Sequence, residues 1–164
     1  MGLSDMARPA EPCNEARLTY SDGTSRTVYT TEVEKAFPEG RLIVSRTDLN
    51  GIITHANDAF VEMSGYSREE LIGAPHHILR HPEMPKIAFK GLWDDMAARK
   101  KWHGYVKNLR KDGAYYWVYA TAVPNIRNGE VVGYTSVRRK PSRTRINELV
   151  SVYAQWLADE KAAS

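Results

Sequence analysis

The apolar positions of this chain change period several times, and each change marks an element. Residues 42–47 and 52–56 are β-branched runs separated by Asp48-Leu49-Asn50-Gly51, whose Asn and Gly tolerate the positive φ of a tight turn; together they predict a hairpin. Helical spacing follows. Asn57 or Asp58 caps a helix carrying Phe60, Val61 and Met63, and Gly65 ends it. Ser67 with Glu70 three positions on forms a capping box for a second short helix that turns Leu71 and Ile72 inward and ends at Gly73. Pro75, Pro82 and Pro85 leave 76–84 as a short, irregular helical segment. Residues 86–98 read as one longer helix through Ile87, Phe89, Leu92, Trp93 and Met96. Three strand runs then cover 102–109, 115–123 and 131–138, joined by Lys111-Asp112-Gly113 and Arg127-Asn128-Gly129-Glu130. In 143–164, Ile146, Leu149, Val150, Tyr153, Trp156 and Leu157 fall on one stripe of an amphipathic helix.

The order is two strands, short helices, a longer helix and three strands. The helical insert is the natural lid for one face of the sheet, and a pocket between lid and sheet follows from that layering. Upstream, residues 1–17 are rich in Pro, Ala and Glu and read as a disordered tail. Residues 18–40 are β-rich but poorly alternating; they read as an N-terminal cap closed by Pro38-Glu39-Gly40. The central domain then spans 41–140, and 141–164 is a basic linker with the C-terminal amphipathic helix. The apolar stripe of that helix must cover its own sheet, a second subunit or another protein.

Composition narrows the class. The 164 residues suffice for one domain that buries roughly 70% of its unfolded-chain surface. A single cysteine, Cys13, excludes an intramolecular disulfide and fits a reducing compartment. Net charge is +3, too weak to imply nucleic acid. Arg138, Arg139, Lys140, Arg143 and Arg145 cluster; the plain reading is a solvated linker, the sharper one an anionic membrane surface or acidic partner. No apolar run approaches the roughly twenty residues of a membrane span, and residues 1–12 carry no signal-peptide core, so the expectation is a cytoplasmic protein.

Catalytic chemistry finds little support. There is no Gly-x-Ser-x-Gly elbow, no phosphate loop and no Cys/His pair with an orienting group, so no enzyme is expected. His76, His77 and His81 are metal-like in number, but the Pro-broken segment supplies neither a fourth ligand nor helical i, i+4 spacing, and no metal site is expected. A haem axial ligand is the remaining alternative for these histidines.

One stretch is more specific. Asn57-Asp58-Ala59-Phe60, then Ser64-Gly65-Tyr66, Gly73-Ala74-Pro75-His76 and Arg80-His81-Pro82-Glu83-Met84-Pro85 resemble the flavin-binding PAS domain of bacterial aerotaxis receptors, from about residue 41 to about 140. The resemblance implies an α+β PAS fold: a five-stranded antiparallel sheet with short helices over one face. It also implies a sensory module that holds FAD non-covalently and signals redox state or oxygen. Its cofactor-binding positions fall on Asn57, His76, Arg80, His81, Glu83 (where the family pattern has aspartate), Trp93, Trp102 and Asn108. Each has a plainer alternative: Asn57 as a helix cap, Arg80 as a surface ion pair, Trp93 and Trp102 as core. The implied partner is a second copy or a signalling protein, met through the 18–40 cap and the 143–160 helix. Receptors of this kind continue into a membrane anchor; this chain reads equally as a stand-alone protein or an excised input module. Light-sensing LOV domains are neighbours, but aligning on Gly73 puts His76 where their reactive cysteine stands, and Arg80 replaces their glutamine with a residue better suited to phosphate. The alternatives are a cofactor-free PAS interaction module and a haem-based gas sensor.

Overall fold

Turn chemistry sets the frame of the sheet. In the computed structural model, which describes residues 2–163, Asn128 and Gly129 both take positive φ (51° and 81°), as a tight hairpin turn requires. The turn joins β6 (Tyr115–Arg127) to β7 (Glu130–Arg139); Asp112-Gly113 likewise joins β5 (Trp102–Leu109) to β6. β3 (Ile43–Thr47) and β4 (Ile53–Ala56) form the first hairpin, and β3 also pairs with β7. The result is a five-stranded antiparallel sheet of order β4-β3-β7-β6-β5. It is the fold that the element order and the resemblance implied.

Between β4 and β5 the chain crosses one face of the sheet. Asn57 caps α1 (Asp58–Ser64) and Gly65 closes it in the left-handed region; Ser67 and Glu70 form the capping box of α2 (Arg68–Leu71). Two 3-10 turns follow, His76–Leu79 and Lys86–Phe89, and then α3 (Leu92–Ala97). Strand alternation points Ile43, Tyr116, Val118 and Ala120 toward this layer, where they pack with Phe60, Met63 and Leu71. Phe60 and Leu71 are wholly buried, each stabilising the fold by about 1.5–3 kcal/mol.

Three elements differ from the sequence expectation. The longer helix over 86–98 is two pieces, because Gly91 adopts φ 86° and separates the second 3-10 turn from α3. The tail over 1–17 is not simply disordered. Asn14–Thr19 is a strand, β1, paired with β2 (Ser25–Thr30), and Met6 is buried beside Val28. Partner pairing supplies the order that the composition of 1–17 lacks. The cap is therefore a hairpin that begins before residue 18. Met1 of the tail lies outside the described residues.

The C-terminal helix, α4 (Arg143–Ala163), covers its own sheet. Ile146, Leu149 and Tyr153 pack on Trp117, which alternation places on the face opposite Tyr116 and Val118. The Tyr153 hydroxyl donates to the Tyr105 carbonyl at 2.9 Å. Farther along, the Glu160 carboxylate accepts from the Lys86 N–H at 2.7 and 2.9 Å, so the helix reaches from the outer face round to the lid. Val150, on the sequence-read stripe, stays exposed. Ser164, the last residue of the expected helix, lies outside the described residues.

Candidate functional site

Small residues on β6 leave room under the lid. Val118, Ala120 and Ala122 form the floor of a cavity of about 500 Å³, closed above by Leu79, Phe89, Leu92 and Met96. Its walls are mainly apolar, and its volume falls within the range of small-molecule sites.

The chemistry sits at one polar wall. Arg138 on β7 is 2% exposed. Its Nη2 donates to Ser45 Oγ at 2.9 Å and to His76 Nε2 at 2.7 Å, and its guanidinium lies 4.9 Å from the centre of the Phe60 ring. No carboxylate pairs with it among the described residues, and its Nη1 has no hydrogen-bond partner. Burial pulls its pKa down to about 10, which still leaves a cation at neutral pH. Burial, aided by the Arg138 charge, pushes His76 down to about 3, so its ring is neutral and Nε2 is free to accept. A buried cation held by neutral partners, with a free donor, suits a ligand bearing a carbonyl or anionic edge.

The sequence-derived positions divide. His76, Arg80, Trp93, Trp102 and Asn108 line the cavity. Arg80 Nη2 donates to the Met84 carbonyl at 2.8 Å and the guanidinium lies over Phe89, so it is not a surface ion pair. Burial lowers its pKa. Asn108 is buried on β5, and its backbone bridges to that of Arg80, tying the lid to the sheet. Trp102 is buried against Phe89, whereas Trp93 is 62% exposed at the rim beside Tyr134. Lys86 and Lys90 also stand on the cavity lining.

Asn57, His81 and Glu83 are placed elsewhere. Asn57 Oδ1 accepts from the N–H groups of Phe60 and Val44, each at 3.0 Å, and its Nδ2 donates to the Leu42 carbonyl. Every polar atom of that side chain serves the α1 cap and the first strand, away from the cavity. His81 is buried, pushed down to about 3 by desolvation and then by the Lys107 charge. Its Nδ1 accepts from the Glu83 N–H at 3.0 Å, which fixes the Pro82 turn. Glu83 is exposed and pairs with Lys107 at 3.2 Å. The family pattern at these three positions therefore builds the lid rather than lining the cavity. His77 lines the rim, stacked on Tyr20, and no group of three His, Cys, Asp or Glu side chains among the described residues is placed to hold a metal ion.

Sequence reasoning missed Arg138 and Ser45. Arg138 was read into a solvated basic run. The missed signal was strand alternation: Tyr134, Ser136 and Arg138 share one face of β7, and that face is the inner one.

A PAS fold family model matches residues 53–138, which covers the cavity-bearing part of the chain. The chain belongs to the PAS fold family. It is 43% identical over 125 residues to the aerotaxis receptor of Escherichia coli K12, a match that takes in 76% of this chain and 25% of that receptor. The chain thus spans about a quarter of that relative. Among solved structures, the blue-light photoreceptor Aureochrome1 LOV superposes with a TM-score of 0.57 at 22% identity, covering 73% of this chain and 91% of that one. A PAS domain from Colwellia psychrerythraea gives 0.56 at 28% identity, covering 62% and 87%. The PAS sensory class and the likeness to an aerotaxis receptor agree with the sequence reading.

Proposed function

We propose that this chain is a cytoplasmic sensory PAS module that holds FAD non-covalently in the 500 Å³ cavity and signals redox state or oxygen, without being an enzyme. The observation that carries the reading is Arg138: a buried cation with a free donor on the wall of an otherwise apolar cavity. The aerotaxis receptor likeness supports the sensory role. The residues present fit a flavin. The apolar floor suits a flat ring system, Arg138 and Asn108 suit its polar edge, and Arg80, Lys86 and Lys90 suit a pyrophosphate, which favours FAD over shorter flavins.

When bound, a flavin supplies reversible electron uptake that changes the charge and hydrogen-bonding demand of its ring edge. The chain's part is to hold and to report. Arg138 offers positive charge to that edge, and His76 stays neutral beside it instead of competing as a second cation. Asn108 presents an amide that can donate or accept, and its backbone bridge to Arg80 passes any movement to the lid. The lid in turn meets α4 through Glu160 and the N-terminal hairpin through Tyr20. These two elements are the proposed route to a second copy or a signalling partner.

The test is an absorption spectrum of the purified protein, followed by heat release and chromatography of any chromophore. Released FAD supports the reading. A haem spectrum, or a folded protein that stays colourless after incubation with FAD, overturns it; the second outcome favours a cofactor-free interaction module.

A further inference from the structure

Three arginines are buried among the described residues: Arg26, Arg110 and Arg138. Two of them are accounted for by the fold. Arg110 pairs with Asp112 and donates to the Glu62 and Met63 carbonyls at the end of α1. Arg26 spends its nitrogens on the Tyr20 hydroxyl and on the Ser4 and Ile78 carbonyls. Arg138 differs from both. Of the three it is the one that lines the cavity, and its Nη1, with two N–H donors, has no partner.

The charge at this wall is as unbalanced as the hydrogen bonding. Both partners of Arg138 Nη2, Ser45 Oγ and the neutral His76 ring, carry no charge. A lone ion held in an apolar surrounding is costly, and a ligand that brings the opposite charge relieves that cost. One positive charge is matched by one negative charge, so a monoanion balances the wall where a neutral group cannot. A carboxylate is the fitting anion, because its oxygens take guanidinium N–H donors in charge-assisted bonds roughly twice as strong as neutral ones. The ring of an oxidised flavin is neutral; it offers Arg138 an acceptor but no counter-charge.

The space beside Arg138 sets the shape of the rest of the ligand. Val118 and Ala120 give a floor without projections, and the Phe89 and Trp102 rings stand together on the lining. The Phe60 ring covers the guanidinium itself, its centre 4.9 Å away. A flat apolar ring fills such a slot with dispersion contacts and leaves no polar atom unpaired.

We propose that the cavity is also a binding site for flat aromatic monocarboxylates, the carboxylate on Arg138 Nη1 and the ring over Val118 and Ala120. The inference adds a second class of ligand to the cavity and does not depend on the flavin reading. Where both ligands are present they compete for the same space, so the fraction of protein carrying flavin falls as the acid rises, and the module responds to a soluble aromatic acid as well as to its flavin.

The experiment is isothermal titration calorimetry of flavin-free protein at neutral pH with cinnamate and with cinnamamide, its neutral counterpart of the same shape. Wild type should bind cinnamate at least about tenfold more tightly than the amide. In Arg138→Met, whose folding circular dichroism verifies, the preference should fall to within about twofold. Equal affinity for acid and amide in wild type, no binding of cinnamate, or a preference that survives in Arg138→Met overturns the proposal. Nuclear Overhauser effects locate the ligand without any substitution: the ring protons of bound cinnamate should reach the methyl groups of Val118 and Ala120, and contacts confined to other residues overturn it. Adding cinnamate should also weaken FAD binding in proportion to its concentration, and FAD binding indifferent to saturating cinnamate overturns the shared site. If the protein binds no FAD the flavin reading fails, while the acid–amide comparison and the Overhauser contacts still decide this one.

Discussion

Arg138 Nη2 lies 2.7 Å from His76 Nε2, joining β7 to the first turn of the lid. A cation donating to a neutral imidazole costs less than two facing charges, yet it leaves the arginine without a counter-ion. Stability alone gives no account of such an arrangement, and the predictions begin there.

Arg138→Met should keep or raise the stability of the ligand-free protein, by up to about 2 kcal/mol, because an unpaired buried cation gives way to an apolar chain of similar length. Denaturant midpoints of the flavin-free protein measure this. A loss above about 3 kcal/mol would show that Arg138 is chiefly structural.

Stability should fall as the solution is acidified below about pH 6.5. His76 and His81 sit at about 3 in the fold against an ordinary 6.5, so between these values the unfolded chain binds protons that the folded chain refuses. The folded state is then favoured on the alkaline side and loses ground toward pH 3. For the fully buried His81 the slope is at most about 1.4 kcal/mol per pH unit. Urea midpoints across this range test it: His81→Gln should flatten the slope, and an unchanged slope would refute the assignment.

Gly104→Ala should weaken ligand retention although Gly104 offers no side chain. A Cβ there would collide with the Trp102 indole, so the ring must shift, and that ring lines the cavity against Phe89. The overpacking should cost about 1–3 kcal/mol. Chromophore content after gel filtration and thermal midpoints report the two effects; retention equal to wild type would show that the ring yields away from the cavity.

How much of this was legible depends on the kind of signal. The sheet was, because Asp112-Gly113 and Asn128-Gly129 announce their hairpins and the capping residues Asn57 and Ser67 act locally. The break at Gly91 was not, since helical spacing runs across it and only φ 86° reveals the turn. β1 escaped because Asn14–Thr19 has little apolar alternation of its own and takes its order from β2. Within the site, motif resemblance pointed to the right segment but not always to the right atoms. His76, Arg80 and Asn108 reach the cavity, while Asn57 spends its polar atoms, and His81 its Nδ1, on the backbone. Arg138 was hidden by its charged neighbours: Arg139 and Lys140 face solvent, and the pleat alone sends Arg138 inward.

The most direct measurement is a titration of flavin-free protein with FAD, followed by quenching of flavin fluorescence, in wild type and Arg138→Met. Saturable one-to-one binding in wild type and affinity at least about tenfold weaker in the variant, equivalent to 1.4 kcal/mol, is the predicted result. Equal affinity in both proteins, or no saturation in wild type, would contradict the assignment of this cavity and its buried arginine to a flavin.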